Sequence, residues 1–295
     1  MLNKTKCDVC NNDKFEIYLK SKDFSVSNEN FNIVKCNKCN FAFTNPRPND
    51  ECLGKYYISD HYISHNNTSK SIFDKTYQFV RKYTLKIKYK IINSIKNKGS
   101  ILDIGCGTGE FLNKFKEKGW KCKGIEPSKI ARNIANKNYK LNIKEENNLN
   151  NLTECFDIIT MWHVLEHVAD LNNTISNLYR IINDNGKIII AVPNIESFDA
   201  KIYGKYWAAY DLPIHLSHFS KKSITKIFEN HKFNLIGTKN MFFDAYYISI
   251  LSEEFKNGKK NIIKSFINGS ISNIIGLITK RGTSSKIYIF EKRKN

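Results

Sequence analysis

No apolar run in these 295 residues approaches the roughly 20 that a membrane span requires, and residues 1–12 are polar where a secretory signal would be apolar. Both absences point to a cytoplasmic protein with no transmembrane segment. Arginine is scarce as well. Of 47 basic residues only Arg47, Arg81, Arg132, Arg180, Arg281 and Arg293 are arginine, so the formal charge of +19 rests on lysine. Such a charge suits nucleic acid, an anionic membrane surface or phosphorylated substrates. Yet arginine is the residue best shaped for bidentate phosphate recognition, and abundant lysine, asparagine and isoleucine are what A/T-rich codons produce. The charge by itself therefore calls for no acidic partner. Low-complexity linkers are missing too. What remains, with 41% hydrophobic residues, is enough core for one large α/β domain and an appendage.

The 8 cysteines are unevenly spread. Cys7 and Cys10 form one C-x-x-C pair and Cys36 and Cys39 a second, while Cys52, Cys106, Cys122 and Cys155 are scattered. Tetrahedral zinc takes four sulfurs, and a two-residue spacer lets each pair reach one ion. With all four positions filled by protein, the zinc is expected to be structural. A cytoplasmic setting disfavours disulfides, and a redox pair would not need duplication. Residues 1–60 thus read as a zinc-binding module, with strands near 15–19 and 31–34 and an exit turn at 45–48. It is too small to fold reliably without metal.

Residues 61–98 read as a linker and an amphipathic helix. The aromatic and histidine cluster at 56–65 suits either a substrate pocket or a packed linker. From 71 to 97 the apolar residues Phe73, Tyr77, Val80, Ile87, Ile91 and Ile95 recur at helical spacing. Lys75, Arg81, Lys82, Lys86, Lys88 and Lys90 occupy the other face, which is expected to be solvated.

The chain is organised around residues 101–111, Ile-Leu-Asp-Ile-Gly-Cys-Gly-Thr-Gly-Glu-Phe, a short buried strand, a glycine-dense turn and a helix start. Alternate glycines remove Cβ where the backbone bends sharply against a ligand, and the following helix offers unpaired N–H groups. The dinucleotide fingerprint needs a third glycine where Glu110 stands, which disfavours NAD or FAD. A second strand at 121–125 ends in Glu126, placed to accept the hydroxyls of an adenosine ribose. Further strands at 156–162 and 187–194 alternate with helices. That rhythm calls for a doubly wound, mostly parallel sheet with its ligand at the carboxyl ends of the strands. Gly105, Glu126, His163 and Asn194 all follow strands.

The glycine stretch resembles the first motif of class I S-adenosylmethionine-dependent methyltransferases, and the run Phe156 through Val168 resembles the fourth-strand motif of their small-molecule members. The resemblance implies a seven-stranded Rossmann-like α/β domain over 99–295. The loop carrying Asp103, Gly105, Cys106, Gly107 and Gly109 would wrap the methionine end of S-adenosylmethionine. Glu126 would hold the ribose, and Trp162 and His163 would stand at the cofactor's edge. Adenine would meet the loop 145–155, where Asn147, Asn148 and their neighbours are equal candidates. His167 reads as a histidine satisfied by backbone hydrogen bonds.

In this family the substrate is covered by the region that here spans 203–220, rich in aromatics and ending in two histidines. His215 is the first candidate general base and His218 the second, with Asp211 able to orient either and Trp207 and Tyr210 as pocket walls. His218 could equally lead into a helix capped by Ser220. The stretch 241–285 is an insertion between the last two strands, either a helical lid or an element for peripheral membrane contact.

The paired cysteines resemble zinc modules that precede some methyltransferases, including deoxysugar C-methyltransferases. The expected function is therefore methylation of a small metabolite such as a sugar or polysaccharide precursor. An rRNA or tRNA methyltransferase, suggested by zinc and charge, and a non-catalytic cofactor-binding or zinc scaffold protein are the alternatives.

Overall fold

The computed structural model describes residues 1–57, 72–141, 143–145, 149–279 and 281–294, with backbone alone over 72–79. The cluster at 58–65 and the candidates Asn147 and Asn148 lie outside the described residues. The chain opens with β1 (Phe15–Lys22), β2 (Asn30–Cys36) and β3 (Ala42–Thr44). β1 and β2 pair antiparallel, bringing Phe15 opposite Cys36. A short helix, α1 (Asp50–Leu53), follows, its Asn49 side chain accepting from Cys52 N–H. The long α2 (Ile72–Ile95) buries Ile92 and packs Leu85, Ile91 and Ile95 on one side of the larger sheet.

Apolar, β-branched runs then alternate with capped helices. In order come β4 (Ser100–Ile104), α3 (Glu110–Lys116), β5 (Lys121–Ile125), α4 (Lys129–Tyr139) and β6 (Ile143–Lys144). After them come β7 (Phe156–Trp162), α5 (Leu171–Ile181), β8 (Ile182–Pro193), α6 (Phe198–Tyr203) and β9 (Ser217–His218). The chain finishes with α7 (Lys221–Asn230), β10 (Phe233–Met241), α8 (Asp244–Asn257), α9 (Ile262–Ile278) and β11 (Ser285–Lys292). Ser128, Asp170 and Ser220 cap their helices, as side chains that compete poorly inside a helix but satisfy its first N–H groups.

Seven strands form one sheet in the order β10-β11-β8-β7-β4-β5-β6. The β4–β5, β5–β6, β4–β7 and β7–β8 pairs are parallel, and β11 runs antiparallel to both its neighbours. This is the mostly parallel doubly wound sheet that the alternating pattern predicts. Strand order reverses at β4, so a crevice opens beyond the carboxyl ends of β4, β5 and β7, where such sheets bind ligands. β8 starts earlier than the expected turn at 183–186, which is absorbed as an irregularity in its pairing with β7 between Phe156 and Ile158.

The second sheet has the order β1-β2-β3-β9. Its fourth strand comes from far along the chain, with Ala42 opposite His218 and Phe43 opposite Ser217. Pairing there covers what would be an open edge at β3, and Thr44 N–H extends the seam by donating to Leu216 O at 3.0 Å. The cysteine-bearing module is therefore continuous with the loop expected to cover the substrate.

Candidate active site

The two cysteine pairs form matched turns. Asn11 N–H donates to Cys7 O and Asn40 N–H to Cys36 O, each at 2.9 Å, and both asparagines are left-handed, with φ of 56° and 61°. Asparagine tolerates that conformation better than most residues, so Cys-x-x-Cys-Asn is the full repeating unit. All four Sγ atoms lie within 4.8 Å of one another, with 3.5 Å between Cys7 and Cys39 and between Cys10 and Cys36. Sulfurs bound to one zinc stand about 3.8 Å apart, given bonds of about 2.3 Å. The four free thiols could thus hold one tetrahedral ion.

At the crevice, Gly105 and Gly107 have φ of +71° and +53°, in the left-handed region that glycine adopts without strain. A Cβ at Gly105 would stand 2.4 Å from a Val164 methyl, whereas the same direction at Gly107 meets nothing within 4 Å. The loop is therefore packed against protein at its first glycine and opens onto the crevice at its second. Glu126, at the end of β5, is oriented by two backbone donors, Gly107 N–H at 2.9 Å and Ser128 N–H at 2.8 Å. Each carboxylate oxygen keeps a lone pair for a further donor. Arg132 steadies this turn by donating to the carbonyls of Glu126 and Pro127, both at 2.7 Å.

Asp103 and Cys106 turn inward. Asp103 is buried, accepts from Thr160 Oγ1 at 2.6 Å, and is pushed up to about 7 by burial, against that bond and the charge of Lys88. Cys106 packs its sulfur toward Gly124, and burial pushes its thiol up as well. Its backbone, not its sulfur, shapes the loop.

Two elements close over the crevice. From α2, Arg81 Nη2 reaches Glu110 Oε1 at 3.0 Å and Thr108 Oγ1 at 3.4 Å. Lys88 Nζ stands 4.3 Å from the centre of the Trp162 ring, a cation–π distance. Burial draws the Lys88 pKa down, opposed by Asp103 and Asp244. The cationic face expected to be solvated is so only in part: Lys82, Lys86 and Lys90 are exposed, while Arg81 and Lys88 face the site. Trp162 also meets Phe111 edge-on at 5.5 Å, and its buried Nε1 has no hydrogen-bond partner among the described residues.

The second closing element is α8. His163, held at φ +57°, lies 3.1 Å by Nε2 from Asp244 Oδ2 on α8 and 3.3 Å by Nδ1 from the buried Glu166 Oε1. Burial alone would lower its pKa, but the two carboxylates outweigh it and raise the imidazole to about 9. A histidine raised from 6.5 adds stability that is fully present below pH 6.5 and is lost as pH climbs through about 9. Replacing Asp244 by Asn should drop this pKa by more than one unit, about the effect of one charged partner. Imidazole NMR titration of His163 in both proteins checks it.

Beyond β7 the histidines gather. His167 and His215 meet edge to face with ring centres 4.6 Å apart. Glu166, His167 and His215 bring one ligand atom each within 4.8 Å, and Glu166 Oε2 is buried with no partner among the described residues. His167 Nδ1 lies 3.1 Å from Ile214 O, the backbone bond expected of it. His215 Nδ1 lies 2.9 Å from Ala209 O, so its proton is assigned there and Nε2 keeps a lone pair, 3.9 Å from Asp211 Oδ2. Burial, then the neighbouring His167 and His218, hold His215 well below the usual histidine pKa. Burial, with Asp23 and Glu166 adding, raises Asp211 to about 7.

His218 does not join this group. It is buried in β9, its Nε2 3.1 Å from Thr44 Oγ1, and burial takes it down to about 3. The expected second base instead ties β9 to β3 within the smaller sheet. Trp207 and Tyr210 flank a shallow recess that also includes Ser21, Phe24 and Asp211, on the cysteine-module side. Sequence spacing sets Arg81 and Lys88 on a cationic helix face but assigns no site role to them, to Glu166 or to Asp244.

A family model described as a methyltransferase domain matches residues 76–237. The chain belongs to that family. It is 33% identical over 139 residues to a ubiquinone biosynthesis O-methyltransferase of Coxiella burnetii, a match covering 43% of this chain and 56% of that protein. The chain thus spans little more than half the length of that curated relative. Among solved structures, a SAM dependent methyltransferase from Archaeoglobus fulgidus matches with a TM-score of 0.51 and 23% identity, covering 72% of this chain and 94% of the other. Magnesium protoporphyrin IX methyltransferase from Synechocystis PCC 6803, solved with bound SAH, matches with a TM-score of 0.55 and 13% identity, covering 83% and 100%. These structural likenesses speak for the shared fold.

Proposed function

We propose that the chain is an S-adenosylmethionine-dependent methyltransferase acting on a small-molecule acceptor, with structural zinc on Cys7, Cys10, Cys36 and Cys39. The observation that carries this reading is the pairing of Gly107, open to the crevice, with Glu126, whose carboxylate is aimed by backbone donors. Glu126 would accept both ribose hydroxyls, the glycine loop would take the methionine end, and Trp162 and His163 would border the adenosyl group. When bound, the sulfonium supplies an activated methyl group, and its transfer disperses positive charge. The protein's work is then positioning and exclusion of water, which α2 and α8 perform by covering the crevice.

The acceptor must lose a proton. His215 is neutral near pH 7, and its Nε2 lone pair can take that proton while Nδ1–H stays on the Ala209 carbonyl. Asp211 would steady the imidazolium that forms. A sugar or polysaccharide precursor is the acceptor class we favour, from the likeness of the paired cysteines to those that precede deoxysugar C-methyltransferases. Substituting His215 by Gln should lower turnover about 10²- to 10⁴-fold, the range for a positioned general base, while cofactor affinity stays within about twofold. Steady-state assays on candidate sugars, with calorimetry of cofactor binding, test it. Unchanged turnover would remove His215 from the mechanism.

A further inference from the structure

Helix α9 is inside out. Its side toward the protein carries Ser265, Gly269, Ser272, Asn273 and Gly276, all buried. Most of those groups are paired: Ser265 Oγ donates to Asn261 O and Ser272 Oγ to the buried Asp199, each at 2.7 Å, and Asn273 Nδ2 donates to Phe242 O at 2.9 Å, while Asn273 Oδ1 is buried with no partner among the described residues. The glycines allow close approach, since a Cβ at Gly276 would stand 2.6 Å from the backbone of Gly282. The outward side carries Ile263, Phe266, Ile267, Ile274, Leu277 and Ile278, between 52% and 76% exposed. A helix docked on a soluble core shows the opposite pattern. An apolar stripe this long on the outside marks a surface built to be covered.

What covers it is indicated by charge. Lys256, Lys259 and Lys260 precede the stripe, Lys264 lies at its start and Arg281 follows it, all exposed. Lys260 and Lys264 face Glu254 and Glu253 at 3.7 and 3.1 Å, which leaves Lys256, Lys259 and Arg281 to carry the attraction. The whole chain carries a formal +19, so a second copy would bring like charge to the same face. No helix among the described residues is long and apolar enough to cross a membrane. We infer that α9 lies flat on an anionic lipid surface, its outward apolar residues entering the headgroup layer and its terminal cations meeting lipid phosphates. Because α8 packs on α9 and begins at Asp244, the residue bound to His163, such docking places the crevice beside the membrane.

The test is co-sedimentation of the full-length, metal-loaded chain with phosphatidylcholine–phosphatidylglycerol vesicles and with phosphatidylcholine alone. Binding to the mixed vesicles should exceed binding to the neutral ones by at least about tenfold, given roughly 1 kcal/mol per basic residue near an anionic surface. The double variant Phe266→Glu/Ile274→Glu should lose at least about tenfold in binding with unchanged circular dichroism, because both side chains are exposed. Lys256→Gln/Lys259→Gln should lower the anionic preference by about tenfold or more. As a site-specific readout, Phe266→Trp should shift its emission to the blue on adding mixed vesicles. Equal sedimentation of the native chain and the Glu variant, or no emission shift, would overturn the proposal. So would a dimer in analytical ultracentrifugation that the Glu substitutions dissociate.

Discussion

With zinc on the four cysteines as proposed, chelating it or replacing Cys36 by Ser should lower the melting midpoint by at least about 10 °C. Structural zinc in small modules is worth roughly 10 kcal/mol of folding free energy, and about two thirds of that moves the midpoint by this much in a chain of this size. The effect should not stay in the cysteine module. β3 pairs with β9, and Thr44 Oγ1 donates to His215 O at 2.7 Å. Loss of the proposed zinc would therefore loosen the loop that positions the proposed base. Turnover should fall further than cofactor affinity, since Glu126 and the glycine loop lie on the other sheet. Cys52→Ser, at an exposed thiol, should leave the midpoint unchanged. Scanning calorimetry beside metal analysis of each protein checks all three.

Glu126→Ala should weaken cofactor binding on the order of 100-fold. Two charge-assisted hydrogen bonds to ribose hydroxyls account for about 3 kcal/mol. The same carboxylate holds Gly107 N–H and Ser128 N–H, so its removal also frees the loop that shapes the site. Glu126→Gln keeps one acceptor oxygen and should lose only about tenfold, in line with a neutral acceptor replacing a charged one. Isothermal titration with S-adenosylhomocysteine separates the two variants. Equal affinity in the native protein and Glu126→Ala would place the ribose elsewhere.

The parts of the fold that sequence makes legible are those set by local physics. β4, its glycine turn and α3 follow from an apolar β-branched run, alternate glycines and a helix start within eleven residues of chain. Glu126 is legible because strand ends in a doubly wound sheet face the ligand. The cysteine pairs are legible because two-residue spacing suits one metal. What stays hidden depends on partners distant in sequence. β9 is two residues long and has no periodicity to detect, yet it adds a distant stretch of chain to the sheet of the cysteine module. Helical spacing places Arg81 and Lys88 on one face without saying that the face meets Thr108, Glu110 and Trp162. The spacing of α9 defines two faces but not which is inward, and the small polar one proves to be. His163 and Asp244 stand far apart in the chain, and no local pattern links them.

One signal was available and informative. In a lysine-rich chain, arginine survives where a planar fork of donors must meet several acceptors at once. Arg132 meets the carbonyls beside Glu126, Arg180 those of Leu149, Asn150 and Leu152, and Arg81 the rim of the glycine loop. Three of the six arginines thus brace the loops around the crevice.

The central claim is that this crevice holds an adenosyl sulfonium and not a dinucleotide. Calorimetric titration of the native chain with S-adenosylhomocysteine and, separately, with NAD tests it most directly. The account predicts saturable binding of S-adenosylhomocysteine at a single site and no heat with NAD. Binding of NAD, or no binding of S-adenosylhomocysteine by the folded, metal-loaded chain, would contradict it.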